Sequence, residues 1–149
     1  MNTLKITFLF LATTVIFTYC SEDTETYPKH PVPEWNIASP ELLPNSFTAI
    51  IAVPGNINLY ATDNDKVAAF LNDQCRGVGT LVRTDSNDKR VYYLTIRAND
   101  DENGNIIFRY YNSRLSYLYQ AKQMVPFETD GTFGTYDSPE ILELELVKE

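Results

Sequence analysis

Tyrosine carries most of the chemical potential in this chain. There are 10 tyrosines, and Tyr110, Tyr111, Tyr117 and Tyr119 fall close together beside Arg109 and Arg114. A tyrosine offers a large rigid ring with a polar tip, suited to stacking on a sugar face or anchoring a protein interface. Alternate tyrosines also line a sheet core, so parity has to separate the two roles. Tyr110 shares parity with Ile106 and Phe108 and is expected inside, whereas Tyr111 shares parity with Arg109 and is expected on an exposed face. Tyr111, Arg109, Tyr117 and Tyr119 are therefore the candidate ligand contacts.

Other reactive side chains are sparse. Cys75-Arg76-Gly77 sets a thiol beside a cation, an arrangement that favours thiolate. No histidine accompanies it, and the alternative is structural: Cys75 packs as a small apolar residue, Arg76 supplies a buried hydrogen-bond fork, and Gly77 permits a bulge or a close strand approach. The one histidine, His30, precedes the folded part, which leaves no triad there, and no nucleophile elbow, phosphate loop or His-Glu-x-x-His helix is present. A carboxylate pair of the glycosidase kind has 20 acids to draw on. The expectation is a non-catalytic domain that needs no cofactor.

The acidic stretch 99–104 places Asn99, Asp101 and Asn103 at alternate positions before Gly104, as oxygen-ligand calcium loops do. The twelfth position from Asn99 is Tyr110 where such a loop needs a bidentate glutamate, so a solvated turn is the other reading. Asp63, Asp65 and Asp73 form a second acidic group of the same ambiguous kind.

The elements that position these residues read as strands. At 149 residues, with 44% hydrophobic and 21% charged positions, the chain fits one domain with a core. A net charge of −8 opposes sequence-independent binding to nucleic acid. Apolar runs at 47–53, 57–61, 66–71, 77–84, 90–98, 105–112, 116–121, 124–128 and 141–147 are separated by Gly, Asn, Asp and Pro. Tyr92, Leu94 and Ile96 alternate with Val91, Tyr93 and Thr95, and Ile106, Phe108 and Tyr110 with Ile107, Arg109 and Tyr111. Asn103-Gly104 between these two runs predicts a tight hairpin. Run 66–71 is short and apolar, and periodicity leaves strand or helix open. The expected fold is all-β: a single immunoglobulin-like β-sandwich of about eight or nine antiparallel strands over 46–149, with a small barrel second.

Several elements recur together. Val67-Ala68-Ala69-Phe70, Cys75-Arg76-Gly77-Val78, Tyr93-Leu94-Thr95-Ile96, and the late Asp130-Gly131-Thr132-Phe133-Gly134 resemble an extracellular β-sandwich module found in surface proteins of the Bacteroidota. That resemblance implies fold and location, with no activity attached.

The N-terminus supplies an address. One lysine precedes the apolar run 6–19, which is shorter than the roughly 20 residues of a membrane span and fits a signal peptide over 1–19. Cys20 directly follows, as in a bacterial lipoprotein signal, and implies lipidation there by acyl chains such as palmitate. Tyr19 and Phe17 depart from the usual small residue and leucine of that signal. Ser21-Glu22-Asp23 resembles the acidic export signal of lipoproteins displayed on the outer face of the outer membrane. Residues 20–45, acidic and then rich in proline, read as a tether. The expected protein is a lipid-anchored binding or accessory module for a glycan or surface protein. A spacer without a ligand and a small polysaccharide hydrolase are the alternatives.

Overall fold

The computed structural model describes residues 27–83 and 90–148. The predicted signal peptide, Cys20 and the acidic residues after it lie outside the described residues. From residue 27 the described part runs through an extended segment and a single 3-10 turn at Pro40–Leu42, then enters β1 (Asn45–Ala52) and a four-residue helix α1 (Gly55–Asn58). Next come β2 (Lys66–Leu71), β3 (Gln74–Val78), β4 (Thr80–Arg83), β5 (Arg90–Ala98), β6 (Asn105–Asn112) and β7 (Tyr117–Ala121). Short strands follow: β8 (Val125–Pro126), β9 (Thr132–Phe133), β10 (Glu140–Ile141) and β11 (Leu144–Leu146).

Two sheets face one another, so the all-β sandwich expectation holds. One runs β10-β1-β5-β4 with β9 also on β1; the other runs β11-β7-β6-β2-β3 with β8 also on β6. Pairing is antiparallel except where β9 and β10 lie parallel to β1. The core between the sheets holds Phe47, Ala49 and Ile51 from β1, Tyr92, Leu94 and Ile96 from β5, and Ile106, Phe108 and Tyr110 from β6. Phe108 stacks on Phe133 across the interface at 5.8 Å between centroids. This is the inward alternation read from the sequence.

Four local expectations are corrected. The segment 57–61 is not a strand: Pro54 presets its backbone, and its carbonyl accepts from Ile57 N–H and Asn58 N–H, closing the α1 turn in which Ile57 alone is buried. The run 77–84 is divided at Gly79, with β3 on one sheet and β4 on the other. The run 141–147 is likewise shared between β10 and β11, with Leu142 buried between them. The fourth correction is the hairpin. β5 is flanked by β1 and β4, and β6 by β2 and β7, so the two strands lie in opposite sheets and the 99–104 loop crosses between them. A type I′ turn needs positive φ at both central residues, and here Gly104 has it, at 129°, while Asn103 does not.

The expected tether is not free over its described part. Residues 27–35 lie along the outer face of β2, β6 and β7, forming a strap. His30 N–H donates to Ser116 O at 2.8 Å, Lys66 Nζ donates to Pro33 O at 2.8 Å, and Trp35 meets Phe70 edge-on at 5.9 Å. The strap explains why β2 is buried from Val67 to Leu71 on both faces and shows no alternation.

Candidate functional site

The sequence-predicted contact residues do not make an exposed platform. Tyr111 is 2% exposed, because the strap covers the face to which parity assigned it, and its hydroxyl donates to His30 O at 3.2 Å. Parity located the face correctly; it had no means of showing that a distant segment covers it. Arg109 lies over the Phe70 ring, 4.4 Å from its centroid. Tyr119, paired in register with Tyr110, turns inward and packs on its ring at 5.8 Å. Tyr117 is half-buried and meets Tyr27 of the strap at 6.3 Å. Tyr110 is fully buried, as expected.

The three calcium candidates share one loop at the surface. Asn99, Asp101 and Asn103 are exposed. Asn99 N–H donates to Glu102 Oε2 at 2.9 Å, and Asn103 O accepts from Asn72 Nδ2 at 3.2 Å. Among the described residues no cluster of three or more His, Cys, Asp or Glu side chains is placed to hold a metal ion. The residue that organises the loop is Glu102, which no pattern in the sequence singled out. Its Oε1 accepts from Arg76 Nε at 3.1 Å and Nη2 at 2.7 Å. Arg76 is thus the buried fork anticipated, and it is the extra residue of a bulge, since Ala69 pairs with Gly77 and Phe70 with Cys75. A Cβ on Gly77 would meet Ile96 Cγ1 at 2.9 Å, which accounts for glycine there. The half-buried Cys75 thiol points to Gly77 O, and burial pushes it up, outweighing the charge of Arg76. It packs as a structural thiol.

The three aspartates separate. Asp73 sits exposed in the β2–β3 turn, whereas Asp63 and Asp65 lie at the opposite end of the sandwich. Asp65 is buried and ties the α1–β2 connection to the β6–β7 turn. It accepts from Thr62 N–H at 2.9 Å, Ser113 N–H at 2.8 Å, the Ser113 hydroxyl at 2.8 Å and the Tyr110 hydroxyl. Asn112, also buried, donates to Tyr60 O at 3.1 Å and Tyr110 Oη at 3.2 Å. Burial and then the Asp65 hydrogen bond hold the Tyr110 hydroxyl protonated far above the usual tyrosine range. Burial followed by the Asp65 charge does the same for Tyr92, whose hydroxyl has no partner. With its oxygens committed to these donors, Asp65 braces the fold.

Beside this brace a cleft opens to solvent. It has a volume of about 330 Å³ and lies between the end of β1, α1, the start of β5 and the 137–141 segment. Arg90, Asn58, Asp137 and Ser138 give it polar walls; Val53, Pro139 and Ile141 give it apolar ones. Arg90 Nη1 donates to Asp63 Oδ1 at 2.6 Å in a partly exposed ion pair. Asn58 Oδ1 is buried without a partner. The sequence offered no signal for this cleft, because its walls come from three stretches, 52–58, Arg90 and 137–141, that only the sandwich brings together.

The chain matches no family model, no curated protein and no solved structure.

Proposed function

We propose that this chain is a surface-displayed lipoprotein, anchored through Cys20, whose sandwich is a non-catalytic binding or accessory module for a glycan or a surface protein. The observation that carries the binding role is the cleft at Arg90 and Asn58, where polar walls and an exposed apolar rim meet beside the Asp65 brace. Sites of small-ligand recognition combine these two surfaces, the polar groups fixing orientation and the apolar ones supplying contact area.

The address rests on the apolar run 6–19, Cys20 and the acidic residues after it. The strap adds a geometric consequence. Tyr27 lies beside Tyr117, at the end of the sandwich that carries Asp65 and the cleft. Residues 20–26 span at most ~25 Å when extended, so a lipid on Cys20 keeps that end close to the membrane.

A spacer role is the second reading, and the strap favours it by covering the aromatic face that the sequence offered as a contact surface. A glycan array and a pull-down with residues 21–149 distinguish the two. Specific capture supports the binding module, and silence in both supports the spacer. Intact-mass measurement of membrane-extracted protein should show loss of residues 1–19 and added acyl chains. Full-length, unlipidated protein in the cytoplasm would overturn the anchor.

A further inference from the structure

We infer that the end of the sandwich carrying the α1–β2 connection docks on the lipid bilayer, with Leu59 and Tyr60 entering its headgroup region, an inference that rests on reading Cys20 as the lipid anchor. Leu59 is 77% exposed and Tyr60 49%, side by side on one turn. Single apolar side chains at a surface are ordinary, so the position of this pair has to carry the argument. The backbone beneath them is held. Tyr60 N–H donates to Ile57 O at 3.0 Å and Ala61 N–H to Asn58 O at 3.1 Å, while Tyr60 O accepts from the buried Asn112 Nδ2 at 3.1 Å. Two residues on, Thr62 N–H donates to Asp65. The fold therefore keeps Leu59 and Tyr60 outward on a turn tied to the core.

The place where the strap begins says what covers this turn. Asn112, which holds Tyr60 O, pairs in register with Tyr117, and the Tyr117 ring meets Tyr27 at 6.3 Å. The anchor thus joins the domain at the same end. Residues 20–26 span at most ~25 Å, and the eight residues of β6 set the opposite end about 23 Å further from the lipid. Two side chains are too little to hold a free domain on a membrane, where binding scales with buried apolar area and charge attraction. A tether changes that: docking becomes intramolecular, at the effective concentration of order millimolar that short linkers give. The residue types suit the boundary, since tyrosine sets an apolar ring against the acyl chains with its hydroxyl among headgroups, and leucine adds apolar area. Arg114 in the β6–β7 turn and Lys29 beside His30 are exposed on the same end and supply cations for lipid phosphates. The net charge of −8 opposes a strongly anionic surface, so zwitterionic headgroups fit best. Neither Leu59 nor Tyr60 lines the cleft at Arg90, so the contact does not draw on the site proposed for a ligand.

The test is fluorescence quenching of the full chain, extracted from membranes, checked for lipid by intact mass and reconstituted into phosphatidylcholine vesicles with or without brominated acyl chains. Tyr60→Trp and Met124→Trp each add one tryptophan to a chain whose native one is Trp35, and the wild-type emission is subtracted. Met124 is 72% exposed and contacts Asn105 at the opposite end of the sandwich, so it controls for a tryptophan's own affinity for lipid. Bromine should quench the tryptophan at position 60 at least about twofold more strongly than the one at position 124, and adding Leu59→Ser should cut the position-60 quenching by about half. Equal quenching at the two positions, or more at 124, would overturn the contact while leaving the Cys20 anchor standing. Emission at position 60 that shifts to the blue with rising protein-to-lipid ratio, without bromine quenching, would also overturn it and assign the turn to another protein chain. Protein recovered without lipid would overturn the contact and the anchor together.

Discussion

The hydroxyl of Tyr111 donates to the backbone carbonyl of His30, a residue 81 positions earlier in the chain. That bond fixes the strap across β6, and with the Trp35–Phe70 and Lys66–Pro33 contacts it makes residues 27–35 part of the packed structure.

Tyr111→Ala should therefore behave as a large-to-small change in a buried site and lower the unfolding free energy by about 3–5 kcal/mol. Tyr111→Phe, which removes only the hydrogen bond to His30, should cost about 1 kcal/mol. Denaturant titration of both variants checks this. A loss below about 1 kcal/mol for Tyr111→Ala would show that the strap leaves the face open.

The Arg76–Glu102 pair joins β3 to the crossing loop with side chains 8% and 14% exposed. Removing one partner leaves a buried charge uncompensated, so Glu102→Ala should cost about 3–5 kcal/mol. The double variant Arg76→Met with Glu102→Leu should be more stable than Glu102→Ala, because no charge remains to desolvate. Urea midpoints of the variants would decide, and a double variant less stable than the single would contradict the account.

Tyr92 and Tyr110 make the fold sensitive to alkali. Burial, with Asp65 second, raises both hydroxyls above the ordinary tyrosine range in the folded state, whereas in the unfolded chain they ionise at the ordinary tyrosine value, about 10. Above that pH the unfolded state loses protons that the folded state keeps. Stability should thus be insensitive to these groups below about pH 9 and fall above pH 10 by up to about 1.4 kcal/mol per pH unit for each. Melts across this range should show a shallower decline for Tyr92→Phe, which removes an unpartnered hydroxyl and should cost little at pH 7. Tyr110→Phe strips a donor from Asp65 and should cost about 1–3 kcal/mol at pH 7.

Cys75 is a free thiol, half-buried, with its ionisation pushed up by burial. At pH 8 it should alkylate far more slowly in the folded protein than in denaturant, since the thiolate is the reacting form. Time-resolved mass spectrometry with iodoacetamide measures the ratio. Equal rates in the two states would contradict the packing.

The sequence by itself determined which faces of the strands are wet and which are dry. Alternation at Tyr92, Leu94 and Ile96, and at Ile106, Phe108 and Tyr110, marked core faces that the structure confirms, because a pleated strand has no other way to segregate its side chains. The Cys75-Arg76-Gly77 triplet also showed its structural role in advance, since bulge, buried fork and close approach follow from the residue types themselves. Only the tertiary structure decided which strand lies beside which. The alternation of β5 and β6 is the same whether they pair in one sheet or face each other across a core, and strand partners on both sides of each settled it as facing. The burial of Tyr111 and the cleft at Arg90 were illegible for a related reason. Each depends on segments distant in sequence that meet only after the sheets have closed, and a local pattern records a residue's own face without recording what arrives to cover it.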